Sequence, residues 1–298
     1  MDACMRQDRD ERDPAARAEA WEVPDEAGAA GMREVEALLV TEQGAARRTE
    51  VVAVEMRADI LLDGEYWASA ALTPSDLEDY ALGALFGAGA IARAADVASV
   101  DVRAAEGAAV LDVQLAPGVA HAAPRRCCGL AAPAGAVFPG CTLAGALREG
   151  GAPGAAARKR RGLPLVEPEA IWRMSRALLP VQGMHRATGA THAAVFAGLD
   201  GRALLMREDV GRHNAVDKLV GALLRAGIDP AEGFAYLSSR CALELVAKLA
   251  RAGVRLVATV SAPTTAVLDF AEREDVTLCA FAREGRFTVY AHPERIAR

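Results

Sequence analysis

Two cysteines stand side by side, Cys127 and Cys128, behind two arginines in the segment APRRCCGLAAP. Guanidinium charge beside a thiol favours the thiolate, the form that attacks sulfur or binds metal. A disulfide between neighbouring residues is strained, so the spacing favours one working thiol over a Cys127–Cys128 redox switch. The plainer reading is two inert thiols in a linker. A zinc site from His121, Cys127, Cys128 and Cys141 is a third reading, but no C-x-x-C occurs and the spacings match no common zinc ribbon. No permanently bound metal is expected.

A second group of chemistry-bearing residues lies in MREDVGRHNAVDKLVG, residues 206–221. Of the 34 basic residues only three are lysines, and asparagine occurs once. Asn214 and Lys218 both fall here, beside Asp209, Arg212 and His213. The pattern predicts a strand ending near Asp209, a turn at Gly211 and a helix on which His213 and Asp217 share a face. Open α/β sheets place ligands at such strand ends. The plainer reading is a helix N-terminus with capping acids and surface salt bridges.

Three smaller features follow. Ser261 ends a predicted strand, and Thr264 and Thr265 open the next helix, a combination of hydroxyls and backbone N–H groups suited to an anion. Arg283 and Arg286 flank Gly285 in a tight turn, and two guanidinium forks there suit phosphate or a planar base. Taken singly, an N-cap and a hairpin with solvated arginines explain these two. His192 opens a strand in TGATHAA, where a lone histidine is more often a hydrogen-bonded structural residue. Cys241 and Cys279 fall on apolar faces and read as core.

The elements that must hold these groups divide the 298 residues into four stretches. Residues 1–32 are charged and without sustained periodicity, which predicts a disordered tail in which Cys4 is incidental. Residues 33–115 read as a small α+β unit with a hairpin around Asp63-Gly64. TPSDLEDYALGALFGAGAI within it reads as a helix, with Thr73 as N-cap, Pro74 at the first helical position and acids complementing the dipole. Residues 116–165 are Gly/Pro/Ala-rich and form a linker or functional loop. Residues 166–298 alternate strands and helices, which predicts a three-layer α/β sandwich on a mixed sheet.

Composition narrows the function. The chain is 52% hydrophobic but only 5% aromatic, so its cores are aliphatic, and disordered, collagen-like and disulfide-miniprotein classes are excluded. The longest apolar run, 80–92, falls short of the ~20 residues that span a bilayer. The N-terminus has no apolar stretch after a basic start, so a soluble cytoplasmic protein with free thiols is expected, with no membrane partner. Net charge is −6, which does not suggest a nucleic-acid binder. Between Gln114 and Val166, however, seven basic residues (Arg125, Arg126, Arg148, Arg158, Lys159, Arg160, Arg161) face one acid, Glu149. Such density suggests a phosphate, a nucleotide or an acidic protein face as partner.

In order along 34–295, TPSDLEDYALG, TGATHAA, REDVGRHNAVDKLVG, SSR…E.VAK…AG, SAPT and FAREGRFTVY resemble the FdhD family, the formate dehydrogenase accessory sulfurtransferases. The resemblance implies a small α+β domain joined to a cytidine-deaminase-like three-layer α/β/α domain, usually as a homodimer. It implies that sulfane sulfur is taken from a cysteine desulfurase as a persulfide. That sulfur is passed to the molybdenum of bis-molybdopterin guanine dinucleotide, the bound substrate, before the cofactor enters formate dehydrogenase or a related molybdoenzyme. Carried over, the persulfide carrier is Cys128. The family's Cys-Gly-x-Cys reads Cys128-Gly129-Leu130-Ala131 here, without the second cysteine. The cofactor-contact segment falls on Phe281, Ala282, Arg283, Glu284, Gly285 and Arg286, with Glu284 where glycine is usual. The alternative of another class is a non-catalytic chaperone of the same cofactor. A zinc deaminase is set aside, because the strand histidine reads His192-Ala193-Ala194, without the glutamate of H-x-E, and no Pro-Cys occurs.

Overall fold

The computed structural model describes residues 31–105, 107–119 and 165–297. The tail before residue 31 and the segment 120–164 lie outside the described residues. With them go Cys4, His121, Arg125, Arg126, Cys127, Cys128, Cys141, Arg148, Glu149 and the basic run 158–161.

Among the described residues, twelve strands form three sheets. A two-stranded ribbon pairs β1 (Met32–Thr41) with β2 (Gly44–Ala53). A four-stranded sheet has the order β4-β3-β6-β5, from β3 (Met56–Leu62), β4 (Glu65–Leu72), β5 (Val97–Ala105) and β6 (Ala108–Leu115). The Asp63-Gly64 turn joins β3 to β4, with both residues at positive φ as a tight hairpin requires. A six-stranded mixed sheet has the order β12-β11-β10-β9-β7-β8. Its strands are β7 (His192–Gly198), β8 (Ala203–Asp209), β9 (Gly233–Leu237), β10 (Leu256–Thr259), β11 (Thr277–Arg283) and β12 (Arg286–Ala291). β9, β10 and β11 run parallel.

The large sheet is covered on both faces. Alternate residues of β7 point to opposite sides, Val195 to one apolar cluster and Phe196 to the other. One face meets α2 (Pro168–Val181) through Ile171, Met174 and Leu178. The other meets α4 (Arg212–Ala226), α5 (Leu243–Arg251) and α6 (Thr265–Glu274). This is the expected three-layer α/β/α arrangement. A short helix, α3 (Gly183–Thr188), precedes β7 and has no counterpart in the sequence reading.

The small sheet and the large one are joined by two helices in close contact. The N-terminal helix is shorter than expected: α1 spans Leu77–Ala88, with Asp76 and not Thr73 before it. It is buried nearly all round, between the small sheet and α4. Gly83 faces the Asp217 carbonyl, where an added Cβ would sit 1.8 Å from the oxygen. Gly221 faces the Asp79 carbonyl in the same way, at 1.9 Å. Only glycine lets the two backbones approach this closely. One continuous apolar cluster then runs from β3 and β6 through α1 and α4 to the large sheet.

Candidate functional site

The carboxyl ends of β8, β9, β10 and β11 open on one edge of the large sheet. β7 is antiparallel to both of its neighbours, so its first residue, His192, lies opposite Asp209 at this edge. The same edge carries the N-termini of α4 and α6, Arg240 after β9, Ser261 after β10 and the β11–β12 turn. The geometry therefore gathers His192, Arg212, Thr264 and 281–286, which are far apart in sequence.

A buried polar network underlies this edge. Asp209 and Lys218 form an ion pair at 2.7 Å with no exposed side-chain surface on either. The second Asp209 oxygen accepts from the Gly211 N–H at 2.7 Å and Asn214 Nδ2 at 3.0 Å. Asn214 Nδ2 also donates to the Ala71 carbonyl at 2.7 Å. Thr73 donates its N–H and its hydroxyl to Asp209, and Lys218 donates to the Thr73 carbonyl and hydroxyl. Thr73 is thus a buried link to the end of β4, not a helix cap. Burial pushes the Lys218 pKa down and the adjacent Asp209 opposes the shift. These are not the surface salt bridges of the plainer sequence reading. With no exposed surface, Asp209 and Lys218 shape the strand end beneath the edge.

A second buried pair, Asp217–Lys248 at 2.6 Å, joins α4 to α5. His213, one turn before Asp217, is held at a pKa of about 4 by burial and by the nearby Lys248 and Arg212 charges, against the pull of Glu244. Its imidazole is neutral at pH 7. Glu208 was not singled out from sequence. Its buried carboxylate accepts from the Met184 and His185 N–H groups at 3.0 and 2.9 Å and from the Thr191 hydroxyl at 2.9 Å. It thereby fixes α3 beside β7.

Above this network the edge carries Arg212 and Arg240, neither with an acidic partner among the described residues. α4 begins with Arg212 and His213 and has no acid in its first turn and no side-chain cap, the reverse of what the helix dipole favours. Arg212 Nε is buried and has no hydrogen-bond partner among the described residues. His192 is half-buried, and its pKa is lowered by burial and then by the Arg212, His185 and Arg240 charges, with Asp209 opposing. Arg207 and Arg225, by contrast, are paired with Asp76, the N-cap residue of α1, and with Glu78 and Asp79 in its first turn. Concentrated cations at the positive end of a helix form a site for an anion with several oxygens.

The β11–β12 turn is exposed apart from Ala282. Between Ala280 and Arg283 the pairing with β12 shifts, and Phe281 adopts φ +52°. Positive φ is strained for an aromatic residue. Phe281 is 44% exposed. Arg283 donates to the carbonyls of Val260 and Ala282 at 2.6 and 2.8 Å, and so braces the turn against the end of β10. Gly285 has φ +74°, Arg286 is exposed, and Glu284 reaches Arg176 of α2 at 3.7 Å. Ala282 is buried and faces the core. Thr264 is the N-cap of α6, without a side-chain cap bond. Cys241 and Cys279 are buried, and burial pushes both thiols up to about 12.

Among the described residues, one trio of potential metal ligands clusters, Asp275, His292 and Glu294, and it lies away from this edge, at the C-terminus of α6. No described helix is long and apolar enough to cross a membrane.

Comparison with known proteins gives concordant results. A model of the FdhD/NarQ family matches residues 53–297. The chain is 39% identical over 254 residues to the sulfur carrier protein FdhD of Bordetella petrii, covering 85% of this chain and 89% of that one. It is 36% identical over 248 residues to the sulfur carrier protein FdhD of Xanthomonas euvesicatoria, covering 83% and 86%. The crystal structure of a protein described as a formate dehydrogenase accessory protein of Desulfotalea psychrophila superposes with a TM-score of 0.68. It covers 89% of this chain and 99% of that one at 23% sequence identity, a likeness of fold.

Proposed function

This chain belongs to the FdhD/NarQ family, and from that premise we propose that it is a sulfur carrier serving formate dehydrogenase maturation, with Cys128 as the carrier. The Cys128 thiolate attacks the sulfane sulfur of a desulfurase persulfide. The new bond joins Sγ to that sulfur, the donor S–S bond breaks, and the donor cysteine leaves with the electron pair and is protonated. One thiolate suffices for this step, so Ala131 in place of a second cysteine removes a relay partner and leaves the carrier. Arg125 and Arg126 beside it favour the thiolate and suit an acidic protein face or a phosphate.

The acceptor in this reading is molybdenum in bis-molybdopterin guanine dinucleotide, bound as substrate. The observation that carries this part is Arg212 and Arg240 at the carboxyl edge of the sheet, without acidic partners among the described residues, on the same edge as an exposed, strained Phe281. The Arg212, His192 and Arg240 side chains suit the pyrophosphate, with the N–H groups of α4 and Thr264 nearby. Phe281 offers a face for the guanine, and Arg283 and Arg286 flank it with charge. Asp209, Asn214 and Lys218 hold the α4 terminus in place from below, and neutral His213 adds no charge there.

Incubation with a cysteine desulfurase and cysteine, followed by intact mass, tests the carrier. The expected adduct is one sulfur atom, about 32 Da, absent in Cys128→Ala. A wild-type chain that stays unmodified while still binding guanosine diphosphate supports the chaperone reading instead.

A further inference from the structure

The Phe281 bulge is held from beneath by a residue two strands away. Tyr236 lies on β9 with its ring buried. Its hydroxyl donates to the Ala282 carbonyl at 3.1 Å. It also lies 2.8 Å from Ser175 Oγ on α2, which in turn is 2.9 Å from the Ile171 carbonyl. A carbonyl only accepts, so the Tyr236 proton goes to Ala282, and Tyr236 Oη accepts when Ser175 turns its proton inward.

Ala282 directly follows the residue at positive φ. Its carbonyl belongs to the Ala282–Arg283 peptide, so the Tyr236 hydrogen bond anchors the chain immediately after the bulge. A second tie, from the Phe281 N–H to the Ser261 carbonyl at 3.3 Å, holds the other side. Strained conformations persist where surrounding contacts over-determine them. Here those contacts are Ser261, Arg283 and Tyr236.

We propose that Tyr236, backed by Ser175, is a positioning residue that holds the β11 bulge in the form presenting Phe281 to a planar ligand ring. Only the ligand half of this statement rests on the guanine-nucleotide reading above. Removal of the hydroxyl leaves no group stranded, because Ala282 keeps Arg283 and Ser175 keeps Ile171. A function beyond packing is therefore separable from fold stability.

The test uses the full chain, Tyr236→Phe, Phe281→Ala and the double variant. Amide exchange read by mass spectrometry over 280–287, without ligand, reports the bulge. Calorimetric titration with guanosine diphosphate reports presentation of the ring. Tyr236→Phe is expected to speed exchange in that segment, to keep the unfolding midpoint within about 3 °C of wild type, and to weaken binding about 3- to 10-fold. In the Phe281→Ala background the same change is expected to weaken binding no further. Unchanged exchange, or a loss that adds in full to that of Phe281→Ala, overturns the proposal. A wild-type chain that takes up no guanosine diphosphate, while Tyr236→Phe still loosens the bulge, overturns the nucleotide reading and leaves the positioning role standing.

Discussion

Lys218 Nζ and Asp209 Oδ2 meet at 2.7 Å with neither side chain exposed. Around them Thr73, Gly211 and Asn214 fill the remaining hydrogen-bonding positions. Loss of one partner leaves a buried charge without compensation, which costs about 3–5 kcal/mol. Lys218→Met is therefore expected to lower stability by that order. Adding Asp209→Asn is expected to recover part of the loss. Urea unfolding of the single and double variants checks both statements.

The paired glycines of α1 and α4 make a second prediction. A Cβ at Gly221 would meet backbone, not a flexible side chain. Gly221→Ala is expected to destabilise by about 3 kcal/mol or more, at or above the usual upper end for overpacking. Gly183→Ala is the control, since an added Cβ there meets nothing within 4 Å. Thermal unfolding of the two variants should separate them clearly.

His213 gives the fold an acid sensitivity with a defined sign. Its pKa falls from 6.5 to about 4 on folding. Below pH 6.5 the unfolded state binds a proton that the folded state refuses, so stability drops as pH falls from 6.5 towards 4. Above 6.5 the residue contributes no slope. His213→Gln is expected to flatten the decline of the unfolding midpoint between pH 6.5 and 5. An unchanged slope assigns the sensitivity to other groups.

His192 gives ligand binding a pH dependence. Arg212, His185 and Arg240 disfavour its cation, and Asp209 favours it. A bound anion offsets those cations and raises the His192 pKa, so binding takes up a proton and tightens as pH falls. Inorganic pyrophosphate is expected to bind the wild-type chain more tightly at pH 6 than at pH 8. The share of that difference due to His192 is the part lost in His192→Asn. Arg212→Gln is expected to weaken binding at both pH values.

Much of the scaffold was legible because it follows local patterns. The alternation in β3 reads directly as a strand with one buried face, and Asp63-Gly64 marks its turn. Thr-Pro-Ser-Asp has the local chemistry of a cap, which is why the sequence points Thr73 to that role. Its true partner, Asp209, is 136 residues away in sequence. α3 escaped notice because a helix of six residues has little periodicity, and Glu208 fixes it from β8. The scarcity of lysine and asparagine marked Lys218 and Asn214 as unusual, but not as buried. Phe281 could be matched to a family segment, whereas its strained bulge depends on hydrogen bonds from Tyr236 and Arg283 that no local pattern records.

Cys241 and Cys279 should be silent. With both thiols pushed up to about 12 by burial, little thiolate forms at pH 7.5. Brief iodoacetamide treatment of the native chain, with peptide mapping, is expected to leave both unmodified. Denaturation first should expose both.

The central claim is that Cys128 carries sulfur destined for formate dehydrogenase. Its most direct test is complementation in cells whose own carrier for that enzyme has been deleted. The account predicts that the wild-type chain restores formate oxidation and that Cys128→Ala, at equal abundance, does not. Restoration by Cys128→Ala to the wild-type level would contradict it.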